Sequence, residues 1–346
     1  MRVAVDAMGG DHGPSVVVPG AVAGARAVGA DLLLVGRTAE IAPALAAVDT
    51  AGVSVDVLDA PDVVGMDEHP AQAVRRKPDS SIVRAMRAVK EGQAGAMASA
   101  GNSGAVMAAA LLILGRVPGI ERPAIASYLP ALTGRTLVLD LGAVADPRPA
   151  HLAQFARMGN AYAQRVGGIP QPRVGLLSNG EEPTKGNQLV QDAFVLLAAT
   201  PGLDFRGNVE GRDITAGTVD VVVTDGFTGN VALKVAEGVG TLIAETLRAQ
   251  VTATLPRKLA ALALRSAFRA VGARLDYRET GGAALLGVDG VVVIAHGRSD
   301  AIAIANAVRV AHQAGQADLT GQLRAAFATV ATGPAAGDAP ESAPAS

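Results

Sequence analysis

The chain contains no cysteine. That excludes disulfides, thiolate zinc sites and a cysteine nucleophile together. It also lacks tryptophan, and aromatic residues make up only 3% of 346 positions although hydrophobic residues make up 49%. The core must therefore be built from Ala, Val and Leu, which suits helices packed closely on a buried sheet. A formal net charge of −2 gives no global pull toward nucleic acid, so no nucleic-acid partner is expected and any basic surface has to be local. Long hydrophobic runs are missing too. The longest, Ala105 to Leu114, falls well short of the ~20 residues that span a bilayer. The N-terminus reaches Asp6 before any apolar run develops, so no signal peptide is expected. These absences predict a cytoplasmic protein that touches a membrane only at its surface. Among the five histidines no pair has H-E-x-x-H spacing, so no metal site is expected.

What is present alternates. Short Val/Leu-rich runs, such as Asp31–Gly36, Val53–Leu58, Thr136–Asp140, Arg173–Leu177, Thr218–Val223 and Val291–Ile294, are each followed by a longer helical stretch. Apolar strands in β-then-α order predict a mostly parallel sheet covered on both faces, an α/β/α sandwich. Ligands in such sheets bind outside the carboxyl ends of the strands. Six glycine-rich polar loops fall at strand ends: 6–14, 99–104, 140–146, 178–187, 224–230 and 295–300. The pattern predicts one shared site at one edge of one catalytic domain, residues 1–330. A helical protrusion is expected at about 245–278. The Ala, Pro, Gly and Ser composition of 331–346 predicts a disordered tail.

Asp6-Ala-Met-Gly-Gly-Asp-His-Gly-Pro14 joins a strand to a helix N-terminus, the usual geometry for holding an anion. It matches neither nucleotide fingerprint, so no nucleotide cofactor is expected. Asp6, Gly9, Gly10, Asp11 and His12 are its candidate ligand-facing residues; a plain capped turn is the alternative. Ser99-Ala-Gly-Asn-Ser-Gly104 has hydroxyls but no adjacent base, and reads as a binding loop through Ser99, Gly101, Asn102, Ser103 and Gly104. In Ser178–Asn187, Lys185 could anchor a phosphate beside Gly186 and Asn187, or merely pair with Glu181 or Glu182. In Thr224–Asn230, with Asp225, Gly226, Thr228 and Gly229, the Asn230 amide could face a developing negative charge. Thr228 or Asn230 could equally cap the following helix. His12 and His296 lie in strand-end loops, His151 and His312 read as helix-surface residues, and His69 reads as solvated.

The segment from Val251 to Leu275 carries Arg257, Lys258, Arg265, Arg269 and Arg274, and no acid. At about 100° per residue, Leu264, Phe268, Val271 and Leu275 fall on one face with basic residues nearby. Leu264, Arg265, Phe268, Arg269 and Val271 are thus a candidate surface for an anionic membrane or an acidic partner. Packing on the core or across a dimer is the alternative.

Several stretches together resemble the PlsX family, the phosphate acyltransferases of bacterial phospholipid synthesis. They are Met1–Pro14, Ser99–Ala105, Gly207–Asp213, Val222–Asn230 and Ala295–Asp300, spread over nearly the whole folded part. The resemblance implies a Rossmann-like sandwich related to isopropylmalate dehydrogenases and phosphate acetyltransferases. It implies a homodimer without cofactor that transfers a fatty acyl group from acyl carrier protein to inorganic phosphate. It also implies peripheral association with the inner face of the cell membrane, where an acyl-phosphate:glycerol-3-phosphate acyltransferase takes the product. The family's catalytic Lys and Asn match Lys185 and Asn230. Two positions depart from the family pattern: Val144 stands where Asn is usual, and Asn179 where an apolar or small residue is usual. Two enzymatic alternatives stay open on sequence alone, an acyl-CoA-using phosphate acyltransferase and an NAD-dependent hydroxy acid dehydrogenase. A non-enzymatic membrane scaffold built on 251–275 is the third.

Overall fold

The structure is a computed structural model that describes residues 1–275 and 281–328. The expected tail at 331–346, residues 329–330 of the expected domain and residues 276–278 of the protrusion lie outside the described residues.

Among the described residues eleven strands form one sheet. The first half holds β1 (Arg2–Asp6), β2 (Asp31–Gly36), β3 (Val55–Asp59) and β4 (Ala96–Ser99). Next in the chain comes the hairpin of β5 (Ala124–Ala131) and β6 (Gly134–Leu139), followed by β7 (Arg173–Leu177), β8 (Asp204–Val209) and β9 (Val221–Val223). The last two strands, β10 (Ala283–Leu286) and β11 (Val292–Ile294), return to the middle, giving the order β3-β2-β1-β4-β11-β10-β5-β6-β9-β7-β8. The expected mostly parallel α/β sheet is present. Three strands were not legible in the sequence. β5 carries Pro130 and turns straight into β6 without a helix, β8 is a polar edge strand, and β10 is four residues long.

Those unread strands reverse the sheet. β11–β10, β10–β5 and β5–β6 are all antiparallel, and the other pairs are parallel. Three reversals leave β6, β9, β7 and β8 running opposite to β1, β2, β3, β4 and β11. The six loops therefore do not share one edge, as expected from the sequence, but belong to two opposed half-sheets. The register brings them back together. One row of paired residues crosses the sheet through Val5, Ala98, Val293, Ala284, Ala126, Leu139, Val223 and Leu176. β1, β4, β11, β6, β9 and β7 all end on that row or one residue past it. Both sets of carboxyl ends thus meet at the middle of the molecule.

Helices cover both faces. One face carries a continuous core under α1 (Pro14–Val28), and, after α2 (Thr38–Ala46), α3 (Pro70–Arg76), α4 (Ser81–Lys90) and α5 (Ser103–Ala109), under α6 (Pro149–Arg165) and α7 (Gln188–Ala198). On the opposite face α4 and α5 seal the first half through Ile82, Met86 and Val106. The second half has a smaller patch there, closed by Ile214 of α8 (Gly211–Ala216). From that side leaves α9 (Gly226–Thr252), in which only Gly226 and Gly229 are buried. The basic segment is not one helix. It breaks into α10 (Leu255–Ala263) and α11 (Arg265–Leu275), with Leu264 at the junction. The chain then returns through β10 and β11 to α12 (Ala301–Gln316) and α13 (Leu319–Ala328), which complete the first face.

Candidate active site

In the first half three loops are clipped together from beneath. Asp6 is buried, and its carboxylate accepts hydrogen bonds from Ser99 Oγ at 2.7 Å and from Met8 N at 3.2 Å. Ser99 Oγ in turn accepts from Gly101 N. Burial pushes the Asp6 carboxyl above its ordinary range, against the pull of these donors. Gly9 packs against Asp6 and Gly101 so closely that a Cβ would sit 2.7 Å from both. Gly10 has φ +86° and leaves no room for a Cβ beside the Gly297 carbonyl, to which Asp11 N donates at 2.8 Å. Asn102 is used at both ends: its oxygen caps α5 at Ala105 N, and its amide reaches the carbonyls of Gly65, Met66 and Glu68. Asp11, His12 and Ser103 are exposed, and Gly104 packs against Pro70.

In the second half the organiser is Asp140, which sequence reading passed over as a strand end. Its carboxylate is buried and accepts from four backbone groups, Ile125 N, Gly142 N, Ala143 N and Val144 N, at 2.7–3.0 Å. Burial raises its pKa and the four donors pull it down, burial prevailing. The Val144 carbonyl then accepts from Gly226 N at 2.8 Å. This loop is held by backbone atoms, so Val144 in place of a polar residue leaves the clip intact, and its side chain packs against the core. At Gly229 the α9 backbone presses on the Asp140 carbonyl, where no Cβ fits. Asp225, not Thr228 or Asn230, is the α9 cap, accepting from Thr228 N at 2.7 Å.

These contacts aim the first turns of α9. The Asn230 amide nitrogen lies 3.1 Å from where a Cβ would project at Gly142. Gly142, Ala145, Gly226, Phe227, Asn230, Val231, Lys234 and Val235 line an open, largely apolar cavity of about 540 Å³. Lys234, one turn beyond Asn230, places Nζ 2.9 Å from Glu237 Oε2 and 3.3 Å from His296 Nε2. His296 follows β11, so this contact joins the two groups of loops. Burial, reinforced by Lys234, lowers the His296 pKa, which favours the neutral ring at pH 7. Lys234 was missed in the sequence; its signal was the i, i+4 spacing from Asn230 on one helix face.

Lys185 sits in the loop after β7, the strand next to β9. It is exposed and makes no ion pair among the described residues; Glu181 pairs instead with Arg212. Asn179 supports the lysine's neighbour, its side-chain oxygen accepting from Gly186 N at 2.9 Å. Asn187 caps α7 at Val190 N. His151, expected on a helix surface, is buried at the α6 N-terminus beside Glu121, because the turn folds its ring back onto the Arg148 backbone N–H. Leu264 and Val271 are exposed, as is Arg265, and Phe268 is half-buried; the Arg269 side chain lies outside the described residues. Among the described residues no three His, Asp or Glu gather into a metal site.

The fold has counterparts among solved structures. A phosphotransacetylase from Streptococcus pyogenes superposes with a TM-score of 0.63 at 19% identity, covering 92% of this chain and 94% of that one. A 4-hydroxythreonine-4-phosphate dehydrogenase from Klebsiella pneumoniae gives 0.55 at 15%, covering 91% and 99%. The sequence then shows the family. The family profile described as "Fatty acid synthesis protein" matches residues 1–322. Proteins named "Phosphate acyltransferase" are 51% identical over 327 residues in Anaeromyxobacter dehalogenans, covering 94% of this chain and 90% of that one, and 52% identical over 314 residues in Heliobacterium modesticaldum, covering 90% and 93%. The chain belongs to this family, the PlsX-type phosphate acyltransferases, and is an enzyme of the acyltransferase class.

Asp140→Ala strips four backbone N–H groups of their acceptor. It is expected to destabilise the protein by about 3 kcal/mol or more in chemical denaturation.

Proposed function

We propose that this chain transfers a fatty acyl group from acyl-[acyl carrier protein] to inorganic phosphate, giving acyl phosphate for phosphatidic acid synthesis. The observation that carries this reading is the Asn230 amide at the wall of a cavity whose other walls are mainly apolar. Such a cavity suits an acyl group, and the amide suits the oxygen of its thioester. A phosphate oxygen attacks the thioester carbon, so that the C–O bond forms and the carbonyl becomes an oxyanion; as the oxyanion collapses back to a carbonyl the C–S bond breaks. The thiolate leaves and takes up the proton that phosphate gives up. The nucleophile comes with the substrate, which fits a chain without cysteine. Asn230 donates to the oxyanion, a contribution of about 3 kcal/mol for a well-placed donor. Lys185, with no acid paired to it among the described residues, offers its charge to the phosphate. Holding two anionic partners together supplies much of the remaining rate.

The same reading includes a homodimer and peripheral membrane association. Val239, Leu242, Ile243 and Leu247 are exposed along the α9 stem, which supports a second copy of the chain as its cover. Leu255, Leu259, Leu262 and Leu264 are exposed beyond it, next to basic residues without acids, which supports an anionic lipid surface. Among the described residues no helix is long and apolar enough to cross a membrane. At that surface the acyl phosphate would pass to a membrane acyltransferase acting on glycerol 3-phosphate.

Purified protein is expected to release free carrier protein from long-chain acyl-ACP only when phosphate is added, and faster than it releases CoA from acyl-CoA. Absence of phosphate-dependent release overturns the reading. Asn230→Ala is expected to lower kcat about 10²–10³-fold with an unchanged melting temperature. Leu242→Asp is expected to shift the sedimentation coefficient from dimer to monomer; a monomeric wild type rules out the dimer. Leu264→Asp with Phe268→Asp is expected to weaken cosedimentation with anionic liposomes while soluble activity persists, and unchanged cosedimentation refutes the surface role.

A further inference from the structure

The geometry points to Lys234 as a second phosphate-contacting residue, held in place by Glu237 from its own helix and by His296 from the opposite half of the sheet. This rests on the reading of the site as one that binds inorganic phosphate.

Four observations support it. Lys234 lies one turn beyond Asn230, so the two side chains share a face of α9, and both line the same cavity. An ammonium has three N–H donors. Glu237 Oε2 at 2.9 Å takes one, and with the His296 ring edge at 3.3 Å at least one is left for a ligand in the cavity that Lys234 lines. The imidazole is shifted toward its neutral form by burial and by the ammonium itself, so it sits beside Lys234 without a like charge to repel it. Both supporting groups come from fixed positions, since Glu237 is three residues along the helix and the His296 loop is tied to the glycine loop through Asp11 N and the Gly297 carbonyl.

The arrangement is also balanced in a way that suits turnover. At rest the ammonium is neutralised by Glu237. When a phosphate dianion arrives it meets a lysine already oriented, with Lys185 on the neighbouring loop supplying charge that no carboxylate among the described residues cancels. Glu237 then competes mildly with the phosphate, which keeps the anion from being held too tightly to react. A lysine that merely strapped α9 to the His296 loop would lose function when Glu237 is neutralised, whereas a phosphate contact would gain affinity.

The test is steady-state kinetics with acyl-ACP and varied inorganic phosphate, together with calorimetric titration of phosphate alone. Lys234→Met is expected to raise the KM for phosphate at least tenfold with the KM for acyl-ACP within twofold, and Lys234→Arg to recover part of the loss. Glu237→Gln, which keeps an acceptor oxygen but no charge, is expected to lower the KM for phosphate. An unchanged phosphate KM in Lys234→Met, with loss confined to kcat or melting temperature, overturns the proposal, as does a raised phosphate KM in Glu237→Gln. Calorimetry separates this from the underlying reading. A wild type that binds phosphate, weakened by Lys234→Met, but shows no phosphate-dependent acyl transfer, upholds the contact and refutes the reaction. Wild type and Lys234→Met binding phosphate equally refutes the contact whatever the reaction.

Discussion

The register of one sheet governs everything else in this molecule. Two half-sheets run in opposite directions, and in most registers their carboxyl ends would lie at opposite edges. Here Leu139 pairs with Ala126, Ala126 with Ala284 and Ala284 with Val293. The ends of β6 and β11 are therefore level, with two strands between them. A slip of one residue would turn every side chain of a strand to the wrong face. The buried cores on both faces therefore enforce this register as firmly as they enforce the fold.

Around that row the polar residues divide by task. Asp6, Ser99, Asn102, Asp140, Asn187 and Asp225 spend their side-chain atoms on backbone groups or on one another, fixing loops and helix starts. Asn230, Lys185, Asp11 and His12 keep exposed side chains, and Lys234 with His296 spans the two halves. Rigid clips beneath and accessible donors above are what preorganised catalysis requires, since donors already in place need no rearrangement as charge develops.

The sequence showed the fold class because apolar strands followed by helices are periodic and local. It did not show the reversal of the half-sheets, because strand direction is set by β5 and β10, whose short or proline-bearing runs carry no such signal. It showed the glycine loops, since their composition is distinctive, and the placement of Asn230 at the start of a helix. Asp140 was hidden because its importance lies in four backbone partners, none of which leaves a side-chain pattern. Lys234 was hidden because its partner His296 is 62 residues away. The departure at Val144, where Asn is usual, leaves the loop's contacts in place because backbone atoms make them.

The α9 helix is rooted at its N-terminal end, where Gly226 and Gly229 are buried, Leu233 packs on the smaller core and Lys234 meets His296, and its 27 residues reach about 40 Å. It is in effect a lever with its fulcrum at the Asp140 carbonyl. Sway of such a lever is least near the fulcrum, where Asn230 sits, and greatest at the tip that leads into α10. Whatever the tip rests on can therefore be soft or moving, while the end that carries Asn230 stays registered to the sheet.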